Sequence, residues 1–401
     1  MNRRVAVTGA GVICASGNNR DAFWRSIARG ENAVTPLQGF DGLRFSHGAR
    51  LRGYQPLDHF TEKELDLLDP FAQFALIAAR EAVKDSSVVW TNELRERSGV
   101  ITGSCLGGKL TEDDAFRELY AEKKTRFHPM IIPRTMANAA ASLIGMELGL
   151  TGASFTFSTA CSSANHALAH AFAMVRYGQL DLAIAGGSEA PFTLGHLKVW
   201  EGMRVVAPDT CRPFSRDRKG LILAEGAAML VLEPLDAAEV RGSTVYAEII
   251  GAGMTADAHH ITQPSAEGAA RAMRLALQDA QIAPQQIGYI NAHGTGTPAN
   301  DATETQAIRM LFKDHADKLA VSSTKSMHGH ALGAAGALEA AATVLALHHG
   351  VLPPTANYTT PDPECDLDVI PNAGRRAEIG YALSNSFAFG GLNAVLAFRR
   401  H

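Results

Sequence analysis

The hydrophobic pattern of this chain switches period again and again. Short apolar runs such as "VAVTGAGV" near the start and "IGYINA" before residue 293 have the length of strands, and glycine bounds them. Runs such as "SANHALAHAFAMV" and "HALGAAGALEA" are rich in alanine and predict helices. Strand and helix patterns alternate along the whole chain with no low-complexity linker, which predicts an α/β fold.

The pattern also repeats at long range. "VAVTGAGVICASG" resembles "AEIIGAGMTADAHH" at 247–260, and "STACSSANHALAHA" from Ser158 parallels "STKSMHGHALGAAGALEA" from Ser323. We read this as two duplicated halves, residues 1–245 and 246–401, related by a pseudo-twofold axis. Equivalent strand-to-helix turns then lie close together, so Cys161 and His330 are expected to share one site. The Gly-Ala-Gly element itself predicts a tight strand-to-turn geometry. It reads G-A-G-V-I-C, not G-x-G-x-x-G, and no phosphate loop occurs elsewhere, so nucleotide chemistry is not supported.

Composition narrows the partners. At 401 residues and 46% hydrophobic content the chain can bury a large core. Its net charge of -4 and the absence of a polybasic tract argue against nucleic acid and against a membrane surface. The start runs straight into a strand-like segment, and later apolar stretches are interrupted by His, Glu, Arg or Gly, so the expectation is a cytoplasmic protein with no membrane span. The five cysteines are scattered without a CxxC pair, which argues against a disulfide framework and against a zinc site. A reactive thiol remains open.

Cys161 stands where a β-prone run meets an alanine-rich helix. Unsatisfied N–H groups and the helix dipole at such a position are expected to lower a thiol pKa. Alone, such a cysteine is more often a small packed residue than a nucleophile. His293 follows "IGYINA" and precedes a loop carrying Thr295 and Thr297, whose hydroxyls suit an extended amide-bearing ligand. "VSSTKSMHGHALGAAGALEA" adds Lys325, His328, His330 and Glu339, and "SNSFAFGGLNAVLAF" places Phe389 in a glycine turn where backbone can approach a ligand. One cysteine, two histidines, a lysine and exposed backbone amides suggest acyl transfer through a thioester. His166 and His170 have the i, i+4 spacing of a metal-binding face, but no third ligand is near in sequence, so no metal is expected.

"TACSS", "NAHGTGTPAND", "SSTKSMHGHALGAAGALE" and "NSFAFGG" occur in this order over essentially the whole chain. Together they resemble the elongating, KAS II-like β-ketoacyl-acyl carrier protein synthases of the thiolase superfamily, and "APDTCRPFSRDRKG" resembles their nodulation-type and polyene-type branches. The resemblance implies a five-layered α-β-α-β-α fold and a dimer, either a homodimer or a heterodimer with a related ketosynthase subunit. It implies an acyltransferase that condenses an acyl thioester with malonyl-acyl carrier protein to give the 3-oxoacyl product. Cys161 is then the nucleophile, and His293 and His330 stabilise the malonyl-derived enolate through Nε2–H donors. Lys325 and Glu339 order the histidine loop, and the N–H groups of Cys161 and Phe389 form the oxyanion hole. Thr295 and Thr297 line the path of the carrier's phosphopantetheine arm, Leu106 sets the depth of the acyl pocket, and no cofactor is needed beyond that arm.

Some positions depart from the family pattern. Ala388 replaces the glycine before the gating phenylalanine, Leu392 replaces a threonine, and His328 stands where a small polar residue is usual. His330 is preferred to His328 because its "GHALGAAGALE" context matches. The basic landing surface for an acidic carrier thins to Lys63, with Lys123, Lys124, Arg126 and Arg204 as further candidates. The alternative reading is a pocket-shaping subunit of a ketosynthase heterodimer, which the presence of Cys161 and both histidines disfavours. A thiolase would carry a second cysteine where this chain has Phe389 and Gly390.

Overall fold

A computed structural model describes residues 2–401. Its centre is a single ten-stranded sheet built from Val5–Cys14 (β1), Ser98–Gly103 (β2), Ser154–Phe157 (β3), Leu182–Glu189 (β4), Gly226–Pro234 (β5), Ala247–Ala256 (β6), Tyr289–Asn291 (β7), Ala320–Ser322 (β8), Tyr381–Ala388 (β9) and Leu392–Arg399 (β10). The strand order is β8-β7-β9-β10-β6-β1-β5-β4-β2-β3. Read outward from the centre, each set of five strands has the same order and the same pattern of two antiparallel then two parallel pairings. The duplication expected from the sequence is thus visible in the topology. β1 and β6 meet antiparallel at the centre, with Val5 opposite Ile249 and Val7 opposite Ala247.

Five helices set the layers: Pro70–Ser86 (α1), Ser163–Arg176 (α2), Ala266–Ala280 (α3), Pro298–Phe312 (α4) and Ala335–His349 (α5). α2 and α5 pack against each other and against strands of both halves, so they form the middle layer. α1 covers the outer face of the first half, and α3 and α4 cover that of the second, giving α-β-α-β-α. The middle layer dictates its own composition. α5 is buried from Ala335 through Leu347, so it is apolar on every side, and its many alanines let it lie close to strands above and below. α2 is tied to the opposite half by Asn165, whose Nδ2 donates to the carbonyls of Ser384 and Ala394, each at 3.2 Å. β1, β4 and β5 are buried along their full lengths, which explains their continuous apolar runs.

The Gly-Ala-Gly repeat plays a different part from the turn expected of it. β1 runs through to Cys14, and a Cβ at Gly9 or Gly11 would strike the carbonyls of Ala82 or Ala78 on α1. A Cβ at Gly251 or Gly253 would likewise strike Ala276 or Ala272 on α3. These glycines stay in the strands and admit the outer helices. Among the described residues no helix is long and apolar enough to cross a membrane.

Gly103 applies the same constraint beside the chemistry, because a Cβ there would press into the Ser163–Ala164 peptide in the first turn of α2. Gly103→Ala should therefore destabilise the fold by roughly 1–3 kcal/mol, read as a lower urea midpoint at unchanged m. An unchanged midpoint would mean that α2 can shift at no cost.

Candidate active site

The chain reaches Cys161 through strained backbone. β3 ends at Phe157, Ala160 takes the left-handed region at φ 50°, and the short turn Ala160–Ser162 runs directly into α2. A residue with a Cβ holds that conformation only where its surroundings impose it. Here Ser163 Oγ donates to the Ala160 carbonyl at 2.6 Å and accepts the Thr159 N–H at 2.9 Å, while Ser162 Oγ donates to the Thr159 carbonyl at 2.9 Å. The hydroxyls of "STACSS" therefore fix the turn that presents the thiol. Cys161 is buried, and the N–H groups of Phe389 and of Cys161 itself face its sulfur.

The expected lowering of the thiol pKa does not occur. Burial pushes Cys161 up to about 11, against the pull of Lys325 and the two N–H groups. A helix N-terminus at the sulfur is a smaller influence than the removal of water from around it.

His293 follows β7, and its main chain is held by a carboxylate. Glu304 of α4 accepts the N–H groups of His293 at 2.9 Å and Gly294 at 2.7 Å, and Asn385 Nδ2 donates to it at 3.1 Å. Lys325 is buried beside them. Its Nζ donates to the His293 carbonyl at 2.6 Å, lies 3.4 Å from His293 Nδ1, and pairs with Glu339 Oε1 on α5. Burial holds the Glu339 carboxyl up at about 7 despite the adjacent ammonium.

His330 is placed by backbone. Its N–H donates to the Ile222 carbonyl at 2.7 Å, and its carbonyl accepts the Ala224 N–H at 3.0 Å. Its Nδ1 accepts the Leu332 N–H at 3.3 Å. The rings of His293 and His330 stand 5.5 Å apart at an interplanar angle of 85°. With an ammonium at one Nδ1 and an amide at the other, both rings carry their proton on Nε2. Burial, reinforced by Lys325, lowers both pKa values well below the ordinary histidine value, so both rings are neutral.

Cys161, His293 and His330 line one cavity of about 250 Å³, together with Thr295, Thr297 and Phe389. The threonine hydroxyls are 2.8 Å apart, and Thr297 also caps α4. His328 lies outside this cavity, with Nδ1 2.8 Å from the Gly329 carbonyl and Nε2 3.0 Å from Thr324 Oγ1. Leu106 is also outside it. The Leu106 N–H donates to Glu189 at 3.2 Å, and its side chain packs into an apolar cluster that includes Trp200, Val205 and Leu221, which do line the wall. Cys105 is engaged as well, with Sγ 3.0 Å from Glu189.

Three residues escaped the sequence reading. Glu189 accepts from Ser104 Oγ, Cys105 N–H, Leu106 N–H and Gly333 N–H, so it joins the 104–107 turn to the loop after His330. Glu304 lies three residues beyond "NAHGTGTPAND", and buried acceptors of this kind leave no periodic signal. Trp200 stacks on Phe389 with ring centroids 6.5 Å apart, and its Nε1–H donates to His196 at 2.8 Å. Ala388 pairs with Leu392 at the end of the β9–β10 hairpin, and Gly390 and Gly391, at φ 82° and 69°, make the turn. His166 and His170 are engaged separately, the first with Thr159 and Ser162 and the second stacked on Phe157. Lys63, Lys123, Lys124, Arg126 and Arg204 are all exposed, and Lys124 pairs with Glu118 at 2.7 Å.

The sequence matches the beta-ketoacyl synthase N-terminal domain over residues 2–238 and the C-terminal domain over 246–359. The chain belongs to the beta-ketoacyl synthase family. This synthase is 46% identical over 402 residues to Nodulation protein E of Rhizobium sp. (strain N33), with all of both chains covered. It is 40% identical over 409 residues to 3-oxoacyl-[acyl-carrier-protein] synthase 2 of Staphylococcus aureus (strain N315), covering 100% of this chain and 99% of the relative. Among solved structures, the ishigamide ketosynthase/chain length factor matches with a TM-score of 0.94 at 35% identity, covering all of both chains. The synthase is therefore an acyltransferase of the thiolase fold.

Its thiol chemistry has a definite pH signature. With Cys161 at about 11, the thiolate fraction at pH 7 is on the order of 1 in 10,000 and rises about tenfold per pH unit. Alkylation of Cys161 by iodoacetamide, followed by peptide mass spectrometry, should accelerate accordingly from pH 7 to pH 9. A plateau at or below pH 8 would show instead that the folded protein stabilises the thiolate.

Proposed function

We propose that Cys161, His293 and His330 carry out the decarboxylative Claisen condensation of this family, joining an acyl thioester to malonyl-acyl carrier protein. Cys161 Sγ attacks the acyl-carrier carbonyl, its proton leaves with the carrier thiol, and the acyl group rests on the enzyme as a thioester. The malonyl group then loses carbon dioxide. The Nε2–H groups of His293 and His330 stabilise the resulting enolate, each on the order of 3 kcal/mol when well placed. The enolate carbon attacks the acyl-Cys161 carbonyl, the new carbon–carbon bond forms, the carbon–sulfur bond breaks, and the departing Cys161 thiolate takes a proton from water to restore the thiol. The N–H groups of Cys161 and Phe389 hold the oxyanion during both attacks.

The observation that carries this reading is the convergence of Cys161 and two histidines on one cavity, both Nδ1 atoms already occupied. Lys325 and Glu339 act through His293 and not on the reacting carbon. Thr295 and Thr297 receive the amides of the phosphopantetheine arm, and no cofactor is required beyond that arm. In this reading residues 1–245 contribute the nucleophile and residues 246–401 the two histidines.

We read the partners as acyl carrier protein and a second ketosynthase-type subunit, identical or related, in the cytoplasm. The carrier named for the Staphylococcus aureus relative and the chain length factor named for the ishigamide structure support these two partners. A purely pocket-shaping role is disfavoured because Cys161, His293 and His330 are all present and together.

Intact-protein mass spectrometry with a panel of acyl-carrier thioesters tests the proposal. An acyl mass should appear on the wild type and be absent from Cys161→Ala. Malonyl decarboxylation should persist in Cys161→Gln, should fall at least a hundredfold in His330→Ala, and should persist in His328→Ala. Loss in His328→Ala with retention in His330→Ala would reverse the assignment of the two histidines.

A further inference from the structure

The helix Leu194–Met203 carries a contact that the proposed chemistry does not use. His196 and Trp200 stand one turn apart on it, and the Trp200 Nε1–H donates to His196 Nε2 at 2.8 Å, with the two rings at 80°. His196 is itself held, because the buried Thr193 hydroxyl caps the helix by accepting the His196 N–H at 3.3 Å. Burial, reinforced by Lys109 and opposed by Asp113, pulls the His196 pKa down to about 4. The ring is therefore neutral, and Nε2 is its acceptor. His196 lies outside the active-site cavity, in a cleft against the helix Lys109–Tyr120.

Trp200 divides two spaces. It lines the active-site cavity of about 250 Å³ and also a neighbouring cavity of about 190 Å³ beside Phe45, Arg204 and Val206. The indole packs on the apolar cluster that includes Leu106 and Leu221, so an N–H turned away from His196 into that cluster loses its partner and is left desolvated. We propose that His196 is a positioning residue that holds the Trp200 indole as a fixed partition between these cavities and so limits the length of acyl chain that Cys161 accepts. This rests on the reading of Cys161 as the acyl acceptor. The Phe389 ring meets the indole in a stacked contact at 25°, which slides without breaking a hydrogen bond, whereas the indole moves only by giving one up. A chain that outgrows the first cavity meets that hydrogen bond before it reaches the second.

Acylation of Cys161 by butyryl- and palmitoyl-carrier thioesters, followed by intact-protein mass spectrometry, tests the assignment. In His196→Leu the ratio of palmitoyl to butyryl transfer rates should rise about fivefold, the factor equivalent to one hydrogen bond, with butyryl transfer unchanged. His196→Gln, whose Oε1 accepts an indole N–H, should restore the wild-type ratio. In a Trp200→Phe background, which has no N–H to hold, adding His196→Leu should leave the ratio where it was. The indole N–H resonance of Trp200, identified by its loss in Trp200→Phe, should exchange its proton faster in His196→Leu than in the wild type. An unchanged ratio or unchanged indole exchange in His196→Leu, no recovery in His196→Gln, or the same rise in the Trp200→Phe background would overturn the proposal while leaving Cys161 as the acceptor. Absence of any acyl mass on the wild type would overturn that underlying reading and this inference with it.

Discussion

The buried ammonium of Lys325 is the interaction on which the active site depends. It is fully enclosed and spends its donors on Glu339, on the His293 carbonyl and toward His293 Nδ1. Those partners come from α5 and from the end of β7, so one charge joins two layers of the fold. An ammonium in such a place persists only with its carboxylate, since removal of either partner leaves a bare buried charge at a cost of about 3–5 kcal/mol. The pair also sets the electrostatics around it. The same positive charge helps keep His293 and His330 neutral and draws the thiol of Cys161 down from a still higher value.

Neutral histidines and a neutral thiol belong to one design. Dehydration of the cavity penalises every charged form inside it, so imidazolium and thiolate are both suppressed. What remains is a set of uncharged donors: two Nε2–H groups and two backbone N–H groups. Such donors interact weakly with a neutral ground state and strongly with an oxyanion or enolate, which is where stabilisation accelerates a reaction. A thiol held near 11 is also poorly reactive toward oxidants and alkylating agents until a substrate arrives.

Much of this was legible in the sequence, and the reason differs by residue. The duplication could be read because a repeated strand-and-helix unit repeats its pattern of apolar, glycine and alanine positions, and the matching strand orders follow from it. The Gly-Ala-Gly motif was legible as a motif but not as packing, because the carbonyls of Ala78 and Ala82 that exclude a Cβ lie on a helix distant in sequence. Cys161, His293 and His330 stood out because reactive side chains in short glycine-rich stretches are few. Glu189 and Glu304 did not. A carboxylate that collects backbone N–H groups from distant turns has no spacing rule, and only the folded chain brings its donors together. The thiol pKa was misjudged because the helix terminus is local in sequence, whereas burial is set by the entire fold.

The placement of Leu106 carries the last step. The sequence put it in an acyl pocket, and the structure puts it behind the cavity wall, in the same apolar cluster as Trp200, Val205 and Leu221. An acyl chain attached to Cys161 would therefore meet side chains already in contact with one another. The main chain is anchored on both sides, Leu106 through its N–H to Glu189 and the Phe389 turn through the Gly390 N–H to the Ile261 carbonyl at 2.7 Å, while the Phe389 ring rests by stacking on Trp200. Room for a chain is made most cheaply by shifting Phe389 against Trp200, because aromatic contacts slide without breaking a hydrogen bond. Seating such a chain would then require the cluster around Leu106 to repack behind that pair, and a packed cluster tolerates a change of shape more readily than a change of volume.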